Sequence, residues 1–259
     1  MSRLYTLGNH RLLYGSCTDP DNLSRLIGDR EISLVLSDPP YGNGGYKYGG
    51  VPVQCKNGAI GQAGTHKRKA GLTKNGTGCY PPMRGNQDNT IAKRFYEAVK
   101  DKTPKIIFFG GNYFTDFLPV SRGWVVWDKR IKPFDRDTGV SFGHCELLWT
   151  TGCYSRILRK DFLWNGCVRE GSFKLNPKPR IHPTQKPVEL LMELITENTA
   201  EGDYVLDGFC GVGSTLIACQ ETGRICLACE IEPDYIGKTL TRFEELYSVK
   251  PLLQDLGVA

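Results

Sequence analysis

The sequence predicts an α/β protein with a mostly parallel sheet and helices on both of its faces. Short, continuous apolar runs recur along the 259 residues, as expected of strands that are buried on both sides. Segments with apolar residues at helical spacing lie between many of these runs. Because strands alternate with helices, parallel strand-helix-strand units are favoured over an all-β or all-α architecture.

The chain begins with a predicted hairpin and a helix. Residues 3–14 alternate in polarity around Gly8-Asn9, which predicts two short antiparallel strands. The apolar residues within 23–27 lie at helical spacing, and Gly28 follows them as a helix stop. A hairpin therefore precedes the first helix-and-strand unit.

The next strand leads into Asp38-Pro-Pro-Tyr41. Residues 32–37 form a mostly apolar run, and Pro39 ends it because proline cannot donate to the ladder and restricts the residue before it. A carboxylate, a rigid backbone and an aromatic ring then stand at the carboxyl end of a buried strand, where open α/β sheets bind ligands. Taken alone, the same pattern also describes a strand followed by a proline turn.

The remaining elements continue the alternation. Helical spacing, glycine stops and continuous apolar runs set their bounds. Helices are predicted over residues 90–98, 113–118, 187–195, 215–222 and 235–246, and strands over residues 105–110, 123–127, 145–150, 203–207 and 224–230. A chain of this length can bury one large core, so residues 1–259 are interpreted as a single domain.

Two segments are basic and lack clear periodicity. Residues 42–87 are rich in glycine and contain no Asp or Glu, whereas residues 152–180 interleave basic and aromatic side chains. These patterns suit a mobile flap that orders on nucleic-acid phosphates and a target-recognition segment, respectively. A solvated insertion and a solvated basic surface are the alternatives. The candidate DNA-binding residues are Lys67, Arg68, Lys69, Arg156, Arg159 and Lys160.

Composition narrows the class of protein. The formal net charge is +5 and the isoelectric point is about 8.6, which permits an anionic partner. Ten cysteines form no framework pattern, and neither a signal peptide nor a long apolar span is present, so we expect a reduced, cytoplasmic protein. Cys226 and Cys229 should face opposite sides of a strand, and the histidines lack ligand spacing, so no metal site is predicted.

A nucleotide-binding pattern occupies the second half of the chain. A strand ends at Asp207, a glycine-rich turn over 208–214 opens a helix, and the next strand ends at Glu230. Glycines let the backbone approach a ligand, which the helix amino terminus then faces. An acid at the end of the following strand can accept hydrogen bonds from ribose hydroxyls. By itself this unit does not separate a dinucleotide from S-adenosylmethionine.

Three motifs taken together resemble the β-class amino-group DNA methyltransferases, and most closely the small phage and prophage enzymes. They are Asp38-Pro-Pro-Tyr41, His182-Pro-Thr-Gln-Lys-Pro187 and Asp207-Gly-Phe-Cys-Gly-Val-Gly-Ser-Thr215, in that order. The resemblance spans roughly residues 10–247. It implies a Rossmann-like fold that uses S-adenosylmethionine, with the catalytic half preceding the cofactor half.

The same resemblance assigns roles to individual residues. The catalytic residues would be Asp38, Pro39, Pro40 and Tyr41. The cofactor-binding residues would be Asp19, Thr184, Lys186, Asp207, Phe209, Cys210, Gly211, Gly213, Ser214, Thr215 and Glu230. Gly208 departs from the proline usual in the family, which makes the turn less rigid and predicts weaker cofactor binding. Ser16 stands where many relatives have an acid, which leaves the role of Asp19 open.

The implied reaction is methylation of adenine N6 in duplex DNA. Asp38 and the Pro39 carbonyl would accept hydrogen bonds from the amino group of a flipped base, on which Tyr41 would stack. N4-cytosine methylation and a catalytically idle nucleic-acid-binding protein are the alternatives. The chain has no Pro-Cys pair, which argues against carbon-5 cytosine methylation.

The resemblance also implies partners and a location. The main partner would be double-stranded DNA rather than a membrane, with a homodimer and a cognate restriction endonuclease as further candidates. The protein would act in the cytoplasm of a bacterial or phage-infected cell, near the nucleoid.

The implied reaction also makes a structural prediction. Because the methyl and amino groups must meet, the strand ends at Asp38 and Asp207 are predicted to lie side by side.

Overall fold

A ten-stranded sheet forms the centre of the computed structural model, which describes residues 2–42, 53–54, 60–61, 88–129, 144–165, 168–176 and 185–254. The strands are β1 (Arg3–Leu7), β2 (His10–Tyr14), β3 (Ile32–Ser37), β4 (Val53–Gln54), β5 (Ile60–Gly61), β6 (Ile106–Phe109), β7 (Trp124–Asp128), β8 (Cys145–Thr151), β9 (Ile157–Asp161), β10 (Trp164–Asn165), β11 (Val168–Arg169), β12 (Tyr204–Asp207), β13 (Ile225–Glu230) and β14 (Leu252–Gln254). The helices are α1 (Pro20–Ile27), α2 (Thr90–Val99), α3 (Val188–Asn198), α4 (Ser214–Glu221) and α5 (Pro233–Tyr247).

The centre of the sheet is parallel and its margins are mixed. The strand order is β14-β1-β2-β13-β12-β3-β6-β8-β7-β9. The block β2-β13-β12-β3-β6 is parallel throughout, whereas β1 pairs antiparallel with β2 and β14, and β8 pairs antiparallel with β6 and β7. The predicted α/β class with a mostly parallel sheet is confirmed.

Apolar side chains cover both faces of this sheet. Along β3, Leu34 and Leu36 belong to one core cluster and Val35 to the other, as the strand period of two requires. The first cluster includes residues of α3, α4 and α5, and the second includes residues of α1 and α2. Cys226 and Cys229 fall in different clusters, so the prediction that they face opposite sides is confirmed.

Burial on both faces explains why β3 is a continuous apolar run. Leu34, Val35 and Leu36 are fully buried, and each such side chain contributes about 1.5–3 kcal/mol relative to an exposed position. The strand therefore sits at the centre of the sheet, between β12 and β6. Its carboxyl end is held firmly in place next to the carboxyl ends of its neighbours.

Several details of the sequence interpretation need correction. The helix predicted over 113–118 is wrong, because the structure has a single 3-10 turn at Gly111–Tyr113 followed by a hydrogen-bonded turn at residues 115–117. So short a segment forms too few helical hydrogen bonds to offset the free-energy cost of helix nucleation. Here Phe114 is instead buried among aromatic rings. Strands β9 and β14 were not predicted, since both are edge strands with few buried residues.

Much of the predicted flap, residues 43–52, 55–59 and 62–87, lies outside the described residues. Among the helices that the structure does describe, none is both long enough and apolar enough to cross a membrane.

Candidate active site

Two strand ends meet at the centre of the sheet. Strands β3 and β12 are parallel neighbours, with Leu206 opposite Val35. Just beyond this pair, the Ser37 hydroxyl donates a hydrogen bond to Asp207 Oδ1 at 2.7 Å and accepts one from the Gly208 N–H at 3.1 Å. The predicted adjacency of the two strand ends is therefore confirmed, and Ser37 links them directly.

Asp38 is held by two polar side chains. The Tyr41 hydroxyl donates to Asp38 Oδ1 at 2.6 Å, and the Lys186 ammonium donates to Oδ2 at 2.5 Å. Lys186 is buried, and its ammonium lies 5.0 Å from the centre of the Phe109 ring. Burial alone would lower the pKa of Lys186, but the carboxylates of Asp38 and Glu146 outweigh it and raise that pKa. Lys186 therefore stays charged beside Asp38.

The pair extends into a row of four alternating charges. Lys129 donates to Glu146 Oε1 at 2.7 Å, and Glu146 Oε2 lies 3.6 Å from the Lys186 ammonium. Burial tends to raise the pKa of Glu146, but the two lysines outweigh it and lower that pKa. The row runs Lys129, Glu146, Lys186, Asp38, so each inner charge has an opposite charge on both sides.

The ring of Tyr41 lies in an aromatic group at the mouth of this region. It stacks on Tyr113 with ring centres 4.8 Å apart and meets Phe114 edge-on at 6.0 Å. Gly110 has a φ of +69°, and a Cβ at this position would lie 2.2 Å from the Tyr41 ring. Glycine at 110 therefore makes room for Tyr41, a role that the sequence pattern did not reveal.

The glycine-rich turn after β12 is held by Glu230. This carboxylate accepts from the backbone N–H groups of Gly211 at 2.7 Å, Ile231 at 2.9 Å and Glu232 at 2.7 Å. Gly213, with a φ of +80°, then leads into the first turn of α4. Burial raises the pKa of Glu230 to about 7 despite these three donors.

Asp207 is the second buried acid of the turn. Its Oδ1 also accepts from the Phe209 N–H at 3.0 Å. Burial raises the pKa of Asp207, and the hydrogen bonds to its oxygens only partly offset this effect. The adjacent Cys210 thiol is buried as well, which raises its pKa well above the usual range, so it is not a nucleophile at neutral pH.

The structure gives a reason for glycine rather than the family's proline at position 208, and the sequence pattern did not predict it. A Cβ at this position would lie 2.6 Å from carbons of the Phe95 ring, and its N–H is used by Ser37. The Phe95 ring in turn meets Phe209 edge-on at 5.2 Å. The space that a proline ring would occupy is thus filled by an aromatic side chain of α2.

One pocket joins the two halves of the site. It encloses about 410 Å³ of empty space, part of it open to solvent. Residues from both strand ends and from the turn line it: Leu36, Ser37, Asp38, Phe109, Gln185, Lys186, Leu191, Asp207, Phe209, Cys210, Gly211, Val212, Ser214 and Thr215.

Most of the predicted site residues that the structure describes therefore come together. Asp19 does not line the pocket; its carboxylate caps α1 by accepting from the Asp21 and Asn22 N–H groups. Thr184 lies outside the described residues.

The predicted DNA-binding residues are only partly described. Arg156 is exposed, whereas Arg159 pairs with Asp128 and Asp161 and Lys160 pairs with Glu193 and Glu197. Residues 67–69 lie outside the described part of the chain.

Sequence reasoning missed three polar residues of the site. Ser37 and Gln185 line the pocket, and Glu146 supports Lys186. A signal was present for Glu146, because it is a charged residue inside an otherwise apolar strand. The Gln185 side chain is buried, and within the described part of the chain neither its Oε1 nor its Nε2 has a hydrogen-bond partner.

Comparison with known proteins supports the family resemblance in the second half of the chain. Residues 159–240 match the family model N6_N4_Mtase, described as DNA methylase. The type II methyltransferase M2.DpnII of Streptococcus pneumoniae is 37% identical over 82 residues, which cover 32% of this chain and 30% of that protein. M2.LlaDCHI of Lactococcus lactis subsp. cremoris is 36% identical over 91 residues, covering 32% and 33%. The matched segment is thus about a third of each relative, and Asp38 lies outside the region that the family model matches.

Solved structures extend the likeness to the whole fold. The M1.HpyAVI-SAM complex has a TM-score of 0.54 at 17% identity and covers 89% of this chain and 97% of that chain. The PvuII DNA methyltransferase, described as cytosine-N4-specific, has a TM-score of 0.58 at 16% identity and covers 98% and 89%. The predicted Rossmann-like methyltransferase fold is confirmed.

Proposed function

We propose that this protein is an S-adenosylmethionine-dependent DNA methyltransferase and that its target is N6 of adenine in duplex DNA. The observation that carries the proposal is the shared pocket: Asp38 and the turn that follows Asp207 lie at adjacent strand ends and line the same cavity. A carboxylate suited to an amino group therefore lies beside a site suited to a nucleoside. The matched family segment, residues 159–240, contains that nucleoside site.

The residues present fit the proposed cofactor. Glu230 is a buried acid at a strand end, where it can accept hydrogen bonds from ribose hydroxyls. The turn over 208–213 brings backbone close to the pocket, and the amino terminus of α4 follows it. S-adenosylmethionine, when bound, supplies an electrophilic methyl group on its sulfonium.

Asp38 and the Pro39 carbonyl prepare the amino group of the base. An exocyclic amine is a poor nucleophile because its lone pair is delocalised into the ring. Two hydrogen bonds to these oxygens would favour tetrahedral nitrogen and free its lone pair for attack on the sulfonium methyl group that S-adenosylmethionine would supply. The proton that the nitrogen loses is the one that points to Asp38, so the carboxylate is placed to receive it.

Tyr41 provides a surface for the base. A base inside a duplex cannot reach Asp38, so it must leave the stack. Tyr41 is tied to Asp38 by its hydroxyl, and its ring is backed by Tyr113. A flipped base can stack on this aromatic group with its amino edge towards Asp38, since base–aromatic stacking contributes about 1–3 kcal/mol per base.

Label transfer tests the proposal. Tritiated S-adenosylmethionine and mixed-sequence duplex DNA are incubated with the protein, and label in the DNA is counted. We expect label in N6-methyladenine after nucleoside digestion. If no label is transferred and calorimetry detects no cofactor binding, the protein is instead a catalytically idle member of the fold.

N4-cytosine is the second candidate target, because its amino group presents the same chemistry to Asp38. The likeness to the cytosine-N4-specific PvuII enzyme concerns the fold alone at 16% identity. Label found in N4-methylcytosine would assign cytosine as the base. Methylation-sensitive sequencing of DNA from cells that express the protein gives the base and the recognition site together.

The proposed partner is duplex DNA in the cytoplasm. The net charge of +5 and the exposed Arg156 are compatible with phosphate contacts. The target-recognition role of residues 152–180, a homodimer and a cognate restriction endonuclease stay predictions. Exchange of the 152–180 segment with that of a relative of different specificity tests the first of them.

A further inference from the structure

Both oxygens of Asp38 are already engaged in the structure. Oδ1 accepts from Tyr41 and Oδ2 accepts from the Lys186 ammonium. The amino group of a base needs one of these oxygens as its own acceptor. Each oxygen can accept a second hydrogen bond, but an ammonium bound to Oδ2 draws negative charge from the carboxylate and weakens Asp38 as an acceptor and as a base for that amino group. Withdrawal of the ammonium would strengthen Asp38, yet breaking a buried ion pair costs several kcal/mol unless the charge that is left behind finds another partner.

Glu146 is placed to be that partner. Its Oε2 is buried, has no hydrogen-bond partner among the residues that the structure describes, and lies 3.6 Å from the Lys186 ammonium. Its Oε1 is fixed by Lys129 at 2.7 Å, so the carboxylate is anchored and its second oxygen is left over. A displacement of Lys186 by less than about 1 Å would complete a normal hydrogen bond to Oε2.

We propose that Glu146 is a positioning residue that takes over the Lys186 ammonium when the amino group of the base binds Asp38. In the structure, Lys186 is hydrogen-bonded to Asp38; with the base in place, it is hydrogen-bonded to Glu146. The lysine keeps a carboxylate partner in both positions, so Asp38 becomes a stronger acceptor and base without leaving an unpaired buried charge. The inference rests on the proposed function, because it concerns how the same site accepts its substrate.

The charge distribution favours such an exchange. The ammonium has carboxylates on two sides, from Asp38 on β3's carboxyl end and Glu146 on β8, and the Phe109 ring at 5.0 Å adds a third favourable contact. Because Phe109 contacts the cation without holding it by a directed bond, it stabilises Lys186 in either position. The carboxyl groups of Asp207 and Asp38 interact unfavourably by charge, and Asp207 stays on the cofactor side, where it accepts a hydrogen bond from Ser37.

The test is Glu146→Gln, which keeps the shape of the side chain and removes its charge. Lys186 then has only one anionic partner and stays on Asp38. We expect the single-turnover rate of methyl transfer at saturating cofactor and DNA to fall about 10- to 100-fold. The dissociation constant for S-adenosylmethionine should change less than about threefold, because Glu146 does not line the pocket.

Two further variants separate positioning from folding. Glu146→Asp retains the charge on a shorter side chain and should recover at least part of the lost rate. Glu97→Gln removes an ion-paired acid that contacts Lys100 at the surface of α2 and should leave the rate unchanged. Thermal unfolding of all three variants shows whether any loss of rate merely follows a loss of stability.

The outcomes are distinct. A wild-type single-turnover rate in Glu146→Gln, or equal losses in Glu146→Gln and Glu146→Asp, overturns this inference and leaves the proposed function intact. A wild-type protein that binds no cofactor and transfers no label overturns the proposed function, and the inference with it. A large loss in Glu146→Gln with recovery in Glu146→Asp supports it.

Discussion

The two acids at the ends of β3 and β13 are stabilised in different ways. Asp38 is held by side chains, the Tyr41 hydroxyl and the Lys186 ammonium, whereas Glu230 is held by three backbone N–H groups. Backbone donors cannot leave without rearranging the chain, but side chains can rotate to other partners. The comparison suggests that the cofactor half is built as a fixed receptor and that the catalytic half is built to exchange contacts.

Sequence similarity to other proteins also differs between the part of the chain that contains Glu230 and the part that contains Asp38. The family model matches residues 159–240, which include the cofactor turn and Glu230 but not Asp38. The segment that contains Asp38 lies outside that match, and the solved methyltransferase structures share its fold at 16–17% identity. If the two halves are functionally separate as proposed, substitutions in each half should affect different measurements.

Asp38→Ala is expected to separate turnover from cofactor binding most clearly. The amino group loses its main acceptor, and removal of one such electrostatic contact typically lowers turnover by about 10²- to 10³-fold. Cofactor binding, measured by calorimetry, should persist within about threefold, because Glu230 and the turn are unchanged. Asp38→Asn is the matched control, since it keeps the volume but can no longer hold Lys186 by charge. Loss of cofactor binding in Asp38→Ala would show that the halves are not separate.

A substitution that restores the family proline, Gly208→Pro, should destabilise the cofactor half. The ring would collide with Phe95 and the hydrogen bond to Ser37 would be lost, which together cost about 3 kcal/mol of unfolding free energy. Urea unfolding measures this loss. A double-mutant cycle with Phe95→Leu should show coupling of about 1 kcal/mol or more, because the smaller side chain vacates the space. Additive effects would mean that Phe95 is not the reason for glycine at 208.

Cofactor affinity should rise with pH in the range around 7. The pKa of Glu230 is raised to about 7, so below this pH much of the carboxyl is protonated and accepts fewer hydrogen bonds from ribose hydroxyls. Calorimetry from pH 6 to pH 8 should show an affinity gain of up to about tenfold per pH unit on the acidic side, and Glu230→Gln should remove most of it.

The contribution of Glu230 to the unfolding free energy should fall as pH rises, whereas its contribution to cofactor affinity should rise. A carboxyl whose pKa is raised on folding contributes stability that is fully present below its unfolded pKa and is lost as pH rises through about 7. The unfolding free energy of Glu230→Gln should therefore depend less on pH over this range than that of the wild type. A cofactor affinity that falls as pH rises from 6 to 8 would contradict the assignment of Glu230 as a hydrogen-bond acceptor.

The smallest expected effect concerns Gln185. Its buried amide has no hydrogen-bond partner among the described residues, and an unsatisfied buried polar group costs about 1–3 kcal/mol. Gln185→Met should therefore raise the melting temperature of the cofactor-free protein by a few degrees. If the amide binds the pocket ligand, the same variant should show a smaller increase in melting temperature on adding S-adenosylmethionine. An unchanged ligand-induced increase would exclude Gln185 as a contact. Ser214→Ala makes the same test for a predicted cofactor-binding residue, because its buried hydroxyl also has no partner among the described residues and lines the same pocket.

Local patterns were sufficient for the elements whose residues are buried by periodic packing. Strand β3 was predicted within one residue, because an apolar run that ends at Pro39 has few other solutions. Strands β9 and β14 were missed because their exposed side chains carry no such pattern. The 113–118 segment was misjudged because Phe114 and Phe117 pack as a small aromatic group, whose spacing imitates a helix.

The sequence by itself determined the α/β class, the two acids at strand ends and the resemblance carried by three motifs. These depend on residue type and short spacing, which are local properties. Only the tertiary structure decided which charge neutralises which: Lys186 is 148 positions from Asp38, and Glu146 meets it from another strand. It also decided that Phe95 fills the space beside Gly208. Such contacts depend on the order of strands in the sheet, and nothing in the local pattern of either partner encodes that order.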